Sequence, residues 1–543
     1  MRSVQAKANE AAFNRPGVIR SGLPSGKRSR PGGEGRRIHT LQVADPQKLD
    51  ATEQANVMTE QENAGAALYQ RIGLILGPIA ALFIAFTFAP EGLPREGVIV
   101  AAVGTWMAIW WATESIPVAV TAFLPLVALP LLDVVSTREI AAPYANPIIY
   151  LFFGGFVVAL AIERCGLHRR IALAVFALAG ADARALVAGF MMAAAFVSMW
   201  ISNTSTTLML LPIAMSVVTV INETMPELDA RQRTNFGLSL LLGLAYGATL
   251  GGLATLVGTP PNAFMAGFMA DNYDVQIDFA RWMLVGLPVS LVMLPIAWLV
   301  LTRIVFPINF RASDEAVQHI LSMRSGLGRM SKAEVRTALL FGFLVAGWLS
   351  RGWLGGLPFI GEVTDTGVAM AAAVAAFLIP SGKKGEALRT WDSVTKLPWG
   401  VLVLFGGGLA LASAVSASGL ALWLGQQLVA VGGMNAILLI VVATALVIFI
   451  TELTSNLATT ATFLPVIAAI GVETGQDPLV YVIPVTLAAS CAFMLPVATP
   501  PNAVVFSSGM VSIPAMVRVG LILNIIAVAV LSVVALLVAP RVF

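Results

Sequence analysis

Apolar residues fill most of this chain in stretches close to the roughly 20 residues that an α-helix needs to cross a bilayer. From residue 70 onward only short polar or Gly/Pro-bearing segments separate them. Eleven stretches predict crossings near 70–88, 97–112, 115–133, 147–163, 236–256, 282–302, 337–354, 364–380, 398–420, 479–496 and 516–538. Two more, 184–218 and 434–470, are interrupted near the middle by polar residues and read as re-entrant hairpins that enter and leave on one side. Lipid leaves only helices or closed barrels able to satisfy every backbone polar group, and these runs are too long and too apolar for alternating barrel strands. The predicted fold is therefore an all-α polytopic membrane protein.

Composition changes little in that picture: 57% of residues are hydrophobic and 12% charged, against about 25% charged in soluble domains. Residues 1–66 stand apart, polar and basic with Arg15, Arg20, Lys27, Arg28, Arg30, Arg36 and Arg37, and read as a disordered cytoplasmic tail. An organellar transit peptide would be poor in acids, whereas Glu10, Glu34, Asp45 and Asp50 punctuate this segment. With the tail inside, the inner loops carry Arg164, Arg169 and Arg170, then Arg311, Arg324, Arg329, Lys332 and Arg336, then Lys383, Lys384, Arg389 and Lys396. Outer loops carry Asp271, Asp274 and Asp278, or Glu473 and Asp477, with single arginines such as Arg95 and Arg138, as the positive-inside rule requires. This places a multi-pass chain in the cell's inner membrane with a cytoplasmic N-terminus and an external C-terminus. Cys165, Cys491, His39, His168 and His319 are too few and too scattered for a disulfide framework, a zinc site or haem.

The chain repeats itself. At a shift of 253 residues, Phe152, Gly154, Gly155, Gly166 and Leu167 fall on Phe405, Gly407, Gly408, Gly419 and Leu420. At the same shift Ser202, Asn203, Thr206, Thr207, Leu211 and Pro212 fall on Ser455, Asn456, Thr459, Thr460, Leu464 and Pro465. Thr259-Pro260-Pro261-Asn262-Ala263 returns as Thr499-Pro500-Pro501-Asn502-Ala503 at a shift of 240, and the polar segment Glu223 to Asn235 can absorb the difference. The copies begin at the fourth and ninth crossings, and an odd separation inverts the second copy. The halves are then 67–335, with hairpin 184–218 and broken helix 236–270, and 336–543, with hairpin 434–470 and broken helix 479–510. Inverted repeats with interrupted helices point to a secondary transporter whose site lies near the membrane midplane.

Ser202-Asn203-Thr204 and Thr454-Ser455-Asn456-Leu457 place hydroxyls and amides at hairpin tips. Where one helix ends and another begins, free carbonyls and free N–H groups lie side by side. The carbonyls and Ser or Asn oxygens suit a cation such as Na+, and the helix N-terminus suits an anion. Pro260 and Pro500 interrupt the fifth and tenth crossings and free carbonyls at Gly258 and Ala498. No Lys or Arg falls within these four motifs, so a doubly charged anion depends on helix ends and co-bound cations, which couples the two. Thr206, Thr207, Thr459 and Thr460 are equally placed to line the site or only to bond the preceding turn. Gly154-Gly155 and Gly406-Gly407-Gly408 read as close helix packing. Glu114, Glu163 and Glu452 are costly at depth; Glu114 lies at a predicted boundary, and Glu452 reads as a structural residue bonded inside its own hairpin.

These motifs resemble the divalent anion:sodium symporters, the sodium-coupled di- and tricarboxylate carriers. The likeness runs from about residue 65 to the end and includes Trp111-Ala112-Thr113-Glu114 with Ile116-Pro117, and Leu404-Phe405-Gly406-Gly407-Gly408. The resemblance implies a homodimer in which a fixed scaffold holds a moving domain, an elevator. It implies one Na+ near Ser198, Ser202, Asn203 and Gly258, and another near Thr451, Asn456 and Ala498. It places the substrate carboxylates against Ser202, Asn203, Thr204, Ser455, Asn456, Thr499 and Pro500. Sodium-coupled symport of a small dicarboxylate such as succinate, malate or fumarate is the expected activity; Na+ and membrane lipid are the other partners, with no nucleic acid and no enzymatic role. Sulfate, citrate or sodium-independent dicarboxylate exchange are the alternatives within carriers, an intramembrane enzyme or a channel those outside. Leu457 departs from the pattern, because a symmetric second motif would repeat the hydroxyl of Thr204.

Overall fold

The computed structural model describes residues 68–176, 180–354, 361–430 and 435–543; the predicted tail, 1–66, lies outside them. Its first two helices, α1 (Leu68–Thr87) and α2 (Arg95–Thr113), pack along each other, and α2 stops where Glu114 takes a left-handed φ of 45°. The predicted crossing at 115–133 is not one helix. Pro117 stands before α3 (Val118–Thr121) and Pro125 in the first turn of α4 (Leu124–Leu131), where proline removes a donor and crowds the preceding turn, while Pro130 lies inside α4. A short α5 (Thr137–Ala141) follows, started by a Ser136–Glu139 capping box.

The first repeat comprises α6 (Pro147–Cys165), α7 (Leu167–Phe176), α8 (Ala183–Ser198), α9 (Asn203–Thr224), α10 (Ala230–Gly252) and α11 (Pro260–Tyr273). Four helices intervene: α12 (Phe279–Leu299), α13 (Asp314–Ser325), α14 (Lys332–Leu354) and α15 (Asp365–Leu378). The second repeat is α16 (Trp399–Ala417), α17 (Leu420–Ala430), α18 (Ala436–Thr451), α19 (Asn456–Glu473), α20 (Pro478–Ala488) and α21 (Pro500–Phe506). The chain closes with α22 (Ile513–Leu537) and α23 (Ala539–Val542). The matched glycines Gly166 and Gly419 both take positive φ, 80° and 75°, a conformation that only glycine adopts without strain. Each lets the chain turn from a long helix into a short one, α7 or α17, that the apolar pattern did not predict. Among the described residues nine helices are long and apolar enough to cross a membrane, and α9 and α19 of the predicted hairpins are two of them. The α3–α4 segment, α8, α15, α18 and α20 are shorter. The predicted crossing 479–496 is helical only to Ala488.

Glycine sets the closest approach. Gly243, Gly247 and Gly251, four apart on α10, face α8, where a Cβ on Gly247 would lie 2.7 Å from Met191 O and one on Gly251 would collide with the Ala195 backbone. Gly154 lies against Ala369 of α15, and Gly407 against the Ala122 backbone, so both glycine runs serve helix packing as predicted. The repeats interlock: α9 and α10 pack on α21, while α19 packs on α11. The charged groups separate along α6. At its C-terminal end Arg164 pairs with Glu386 at 2.7 Å, Arg170 with Glu334 at 2.8 Å, and Arg336 donates to Pro380 O. At its N-terminal end Asn146 donates to Asp271 at 2.7 Å. Leu68, Ile75, Phe83 and Phe86 stand exposed on α1, an apolar face suited to lipid.

Candidate functional site

In the first repeat, helix α8 stops at Ser198 and α9 starts at Asn203, so the polar motif occupies the tip between them. Ser202 is the N-cap, and its Oγ accepts the Ser205 N–H at 3.2 Å. The interruption between α10 and α11 is stitched to this tip by Thr255, which donates to Met199 O at 2.6 Å and accepts the Gly258 N–H at 3.0 Å. Asn262 then closes the interruption on itself. Its amide donates to the carbonyls of Gly252 (3.2 Å), Leu253 (3.3 Å) and Thr255 (2.8 Å), groups that an unbroken helix would have satisfied.

The carboxamide of Asn203 faces this interruption. Its Oδ1 lies 2.5 Å from Ser198 Oγ and 3.2 Å from the carbonyl oxygens of Ala248 and Gly258. Beyond the serine hydroxyl these partners offer no proton. Turning the amide would let its NH2 donate to all three, whereas a cation among the four oxygens would hold the oxygen inward. Neutral carbonyl, amide and hydroxyl oxygens are the donor set that hard cations accept. A Cβ on Gly252 would lie 2.6 Å from Asn203 Oδ1, so glycine is what leaves room for this cluster.

The second repeat rebuilds the arrangement 253 residues on. Thr451 Oγ1 stands 3.0 Å from Asn456 Oδ1 and 2.8 Å from Ala489 O, sharing its one proton between them. Asn502 donates to Ala492 O (3.2 Å) and Leu495 O (3.0 Å), as Asn262 does in the first copy. Thr259 and Thr499 have nearly the same backbone, φ −144° and −143°, before the paired prolines. Two differences matter. Ser455 makes no capping bond, so its hydroxyl is not committed to its own helix as that of Ser202 is. Glu452 replaces Met199, and its buried carboxylate accepts the N–H groups of Phe493 (2.8 Å), Met494 (2.9 and 3.1 Å) and Leu495 (3.1 Å), with Asn524 Nδ2 at 2.8 Å. The prediction that Glu452 bonds inside its hairpin is corrected: it leaves the hairpin and ties it to the interruption and to α22.

The two interruptions meet. Thr259 and Ser490 hydroxyls lie 3.3 Å apart, and Tyr246 of α10 donates to Phe493 O at 2.8 Å. Ser202, Asn203, Thr204, Ser455 and Asn456 are half-buried, Thr499 and Leu457 are buried, and Pro500 is exposed. Gly258 and Ala498 lie buried beside the proline pairs, with Ser198 and Thr451 fully buried. Thr207 and Thr460 bond the carbonyls of Asn203 and Asn456 at 2.8 Å each, one of the two roles left open for them, and Thr459 pairs with Thr454 at 2.6 Å. Sequence reasoning missed Thr255, Ser490 and Asn524. No repeated motif marks them, because each works through a partner 56 or 72 residues away or in the other repeat.

A helix-to-helix tip backed by an interrupted helix, present once in each repeat, defines a membrane transporter. The chain belongs to the family described by the sodium:sulfate symporter transmembrane region, which matches residues 69–540. It is 40% identical to the sodium-dependent dicarboxylate transporter SdcS of Staphylococcus saprophyticus over 493 residues, 89% of this chain and 94% of that protein. It is also 40% identical to SdcS of Staphylococcus aureus strain USA300 over 476 residues, 87% of this chain and 91% of that one. Two solved transporters share the fold at low identity. The Alcanivorax borkumensis YdaH transporter has a TM-score of 0.53 at 15% identity, covering 80% of this chain and 97% of that one. Neisseria gonorrhoeae MtrF has a TM-score of 0.52 at 12% identity, covering 85% and 97%.

Proposed function

We propose that the chain is a sodium-coupled symporter of small dicarboxylates such as succinate, malate and fumarate. The observation that carries this reading is the duplicated oxygen cluster: Ser198 with Asn203, and Thr451 with Asn456, each pair beside carbonyls of a helix end. One Na+ is assigned to Ser198, Ser202, Asn203 and Gly258, the other to Thr451, Asn456 and Ala498. The substrate carboxylates are assigned to Ser202, Asn203, Thr204, Ser455, Asn456, Thr499 and Pro500. Each Na+ offsets the charge that a dianion would otherwise bring into a site without a basic residue, and the N-termini of α9 and α19 add their positive ends. Neither ion binds well alone, so their binding is reciprocal. The SdcS relatives carry the words sodium-dependent and dicarboxylate in their names, which supports both halves of the reading.

The reading extends to an elevator in a homodimer, with the tips and interruptions carried together past a fixed scaffold. It places the chain in the inner membrane, N-terminus cytoplasmic and C-terminus outside; the gathering of Arg164, Arg170 and Arg336 at one end of α6 supports that orientation. Purified protein in liposomes should accumulate labelled succinate only with an inward sodium gradient. Uptake indifferent to sodium would remove the coupling claim, and stronger competition by unlabelled sulfate or citrate than by succinate would reassign the substrate.

A further inference from the structure

An apolar cavity of about 360 Å³ lies away from the site, between Ile84 of α1 and Phe88 just past its end, Gly104 and Ala108 of α2, and Ala461 and Pro465 of α19, with Trp423 at one side. Its wall contains two hydroxyls, and both are turned back on their own helices: Thr105 Oγ1 donates to Ala101 O at 2.8 Å and Thr462 Oγ1 to Ala458 O at 2.9 Å. Water held in a cavity needs two to four polar partners, so nothing in this wall retains it, nor a carboxylate. A cavity of about 150 Å³ accommodates benzene, and the same scaling gives this one roughly a dozen carbons. The cavity continues the exposed apolar surface of α1, where Leu82, Phe83 and Phe86 stand free. One end carries polar groups. Trp423 Nε1 donates to Glu91 O at 3.0 Å, Phe88 packs edge-on against Trp423, and exposed Arg95 reaches Ala85 O, beside the lining residue Ile84.

We propose that this cavity holds one acyl chain of a membrane phospholipid, with the phosphate toward Arg95. Moving the chain in from bulk lipid gains no hydrophobic transfer energy; what it supplies is dispersion contact for walls that otherwise face a void. Arg95, a cation at the polar end of the cavity, selects a phosphate-bearing lipid over a neutral alkane. The position also gives the chain a consequence. Ala461 lies five residues past Asn456, about 7.5 Å along α19, so the acyl chain wedges the helix that carries the second tip against α1 and α2.

The test is photolabelling in liposomes containing a phosphatidylglycerol with a diazirine in one acyl chain. Label should appear on peptides spanning 100–108 and 461–466 as well as on the lipid-facing side of α1. Gly104→Leu fills the cavity without a clash, since a Cβ there meets only Leu411 Cδ1 at 3.6 Å. It should reduce label at 461–466 at least fivefold while α1 labelling stays constant, and Ala108→Leu should do the same should the first variant fold poorly. Arg95→Gln should lower label at 461–466 severalfold. Absence of label at 461–466 in the native protein, or label that both cavity-filling variants leave unchanged, would mean ordinary surface lipid only and would overturn the proposal.

Discussion

Glu452→Gln is the sharpest test of how the second half of the site is held. Five hydrogen bonds reach this carboxylate, all from donors, so the anion is the form they satisfy. Glutamine has one oxygen. If it replaces Oε1, its NH2 faces the N–H groups of Met494 and Leu495 at 3.1 Å; if it replaces Oε2, the NH2 faces Phe493, Met494 and Asn524. The better choice still strands the Leu495 N–H and turns the remaining charge-assisted bonds neutral. An unsatisfied buried donor costs about 1–3 kcal/mol, and bonds to charged groups are worth about 1.5–3 kcal/mol, so a total of about 2–5 kcal/mol is expected. If even 1.4 kcal/mol of that falls on the interruption carrying Ala498 and Thr499, the competent population drops about tenfold. Initial rates of sodium-driven succinate uptake, with the thermal midpoint of the purified protein, measure both effects. Met199→Leu at the equivalent position of the first repeat should change neither, because no comparable side-chain bonds exist there. Native rates and midpoint in Glu452→Gln would refute the reasoning.

Other predictions follow from the same geometry. Asn203→Ala and Asn456→Ala should each abolish sodium-driven uptake while the variants remain folded by size-exclusion chromatography. Gly251→Ala, which drives a Cβ into the Ala195 backbone, should lower the thermal midpoint or prevent recovery of folded protein, since neither backbone can yield; a normal midpoint would show that α8 and α10 are not tightly packed. Asn262→Ala strands the carbonyl of Gly252, at about 1–3 kcal/mol, and leaves that of Thr255 only the long bond from the Gly258 N–H at 3.4 Å; Asn502→Ala should behave alike in the second repeat, and a denaturation assay showing neither cost would contradict the pairing. Leu457→Thr restores the hydroxyl of the symmetric motif and should shift the ratio of succinate to sulfate or citrate uptake by up to about tenfold, equivalent to about 1.4 kcal/mol.

The candidate site was legible wherever it was written locally. Asn203 and Asn456 stand at a fixed shift, each five residues from its hydroxyl partner, and a tip between two helices can be inferred from such spacing alone. The proline pairs likewise announce that α10 and α20 must end. The pattern failed where a single apolar run hides a change of direction. Gly166 and Gly419 mark the repeat, yet the apolar pattern predicts no helix for the short segments that follow them. Pro117 and Pro125 mark the starts of two short helices in a stretch whose hydropathy alone looks like one crossing.

What the sequence alone determined is the solvent and the duplication: a chain this apolar must close its backbone bonds in helices, and two copies of the same polar motifs must form related tips. Tertiary structure decided which polar groups satisfy one another. Glu452 looked like a hairpin residue, but its partners lie 41 to 43 and 72 positions away, and Thr259 finds Ser490 231 positions on. Periodicity reports which face of a helix avoids water. It is silent on the buried donors and acceptors that several helices bring to one point, because those pairings depend on how the helices pack.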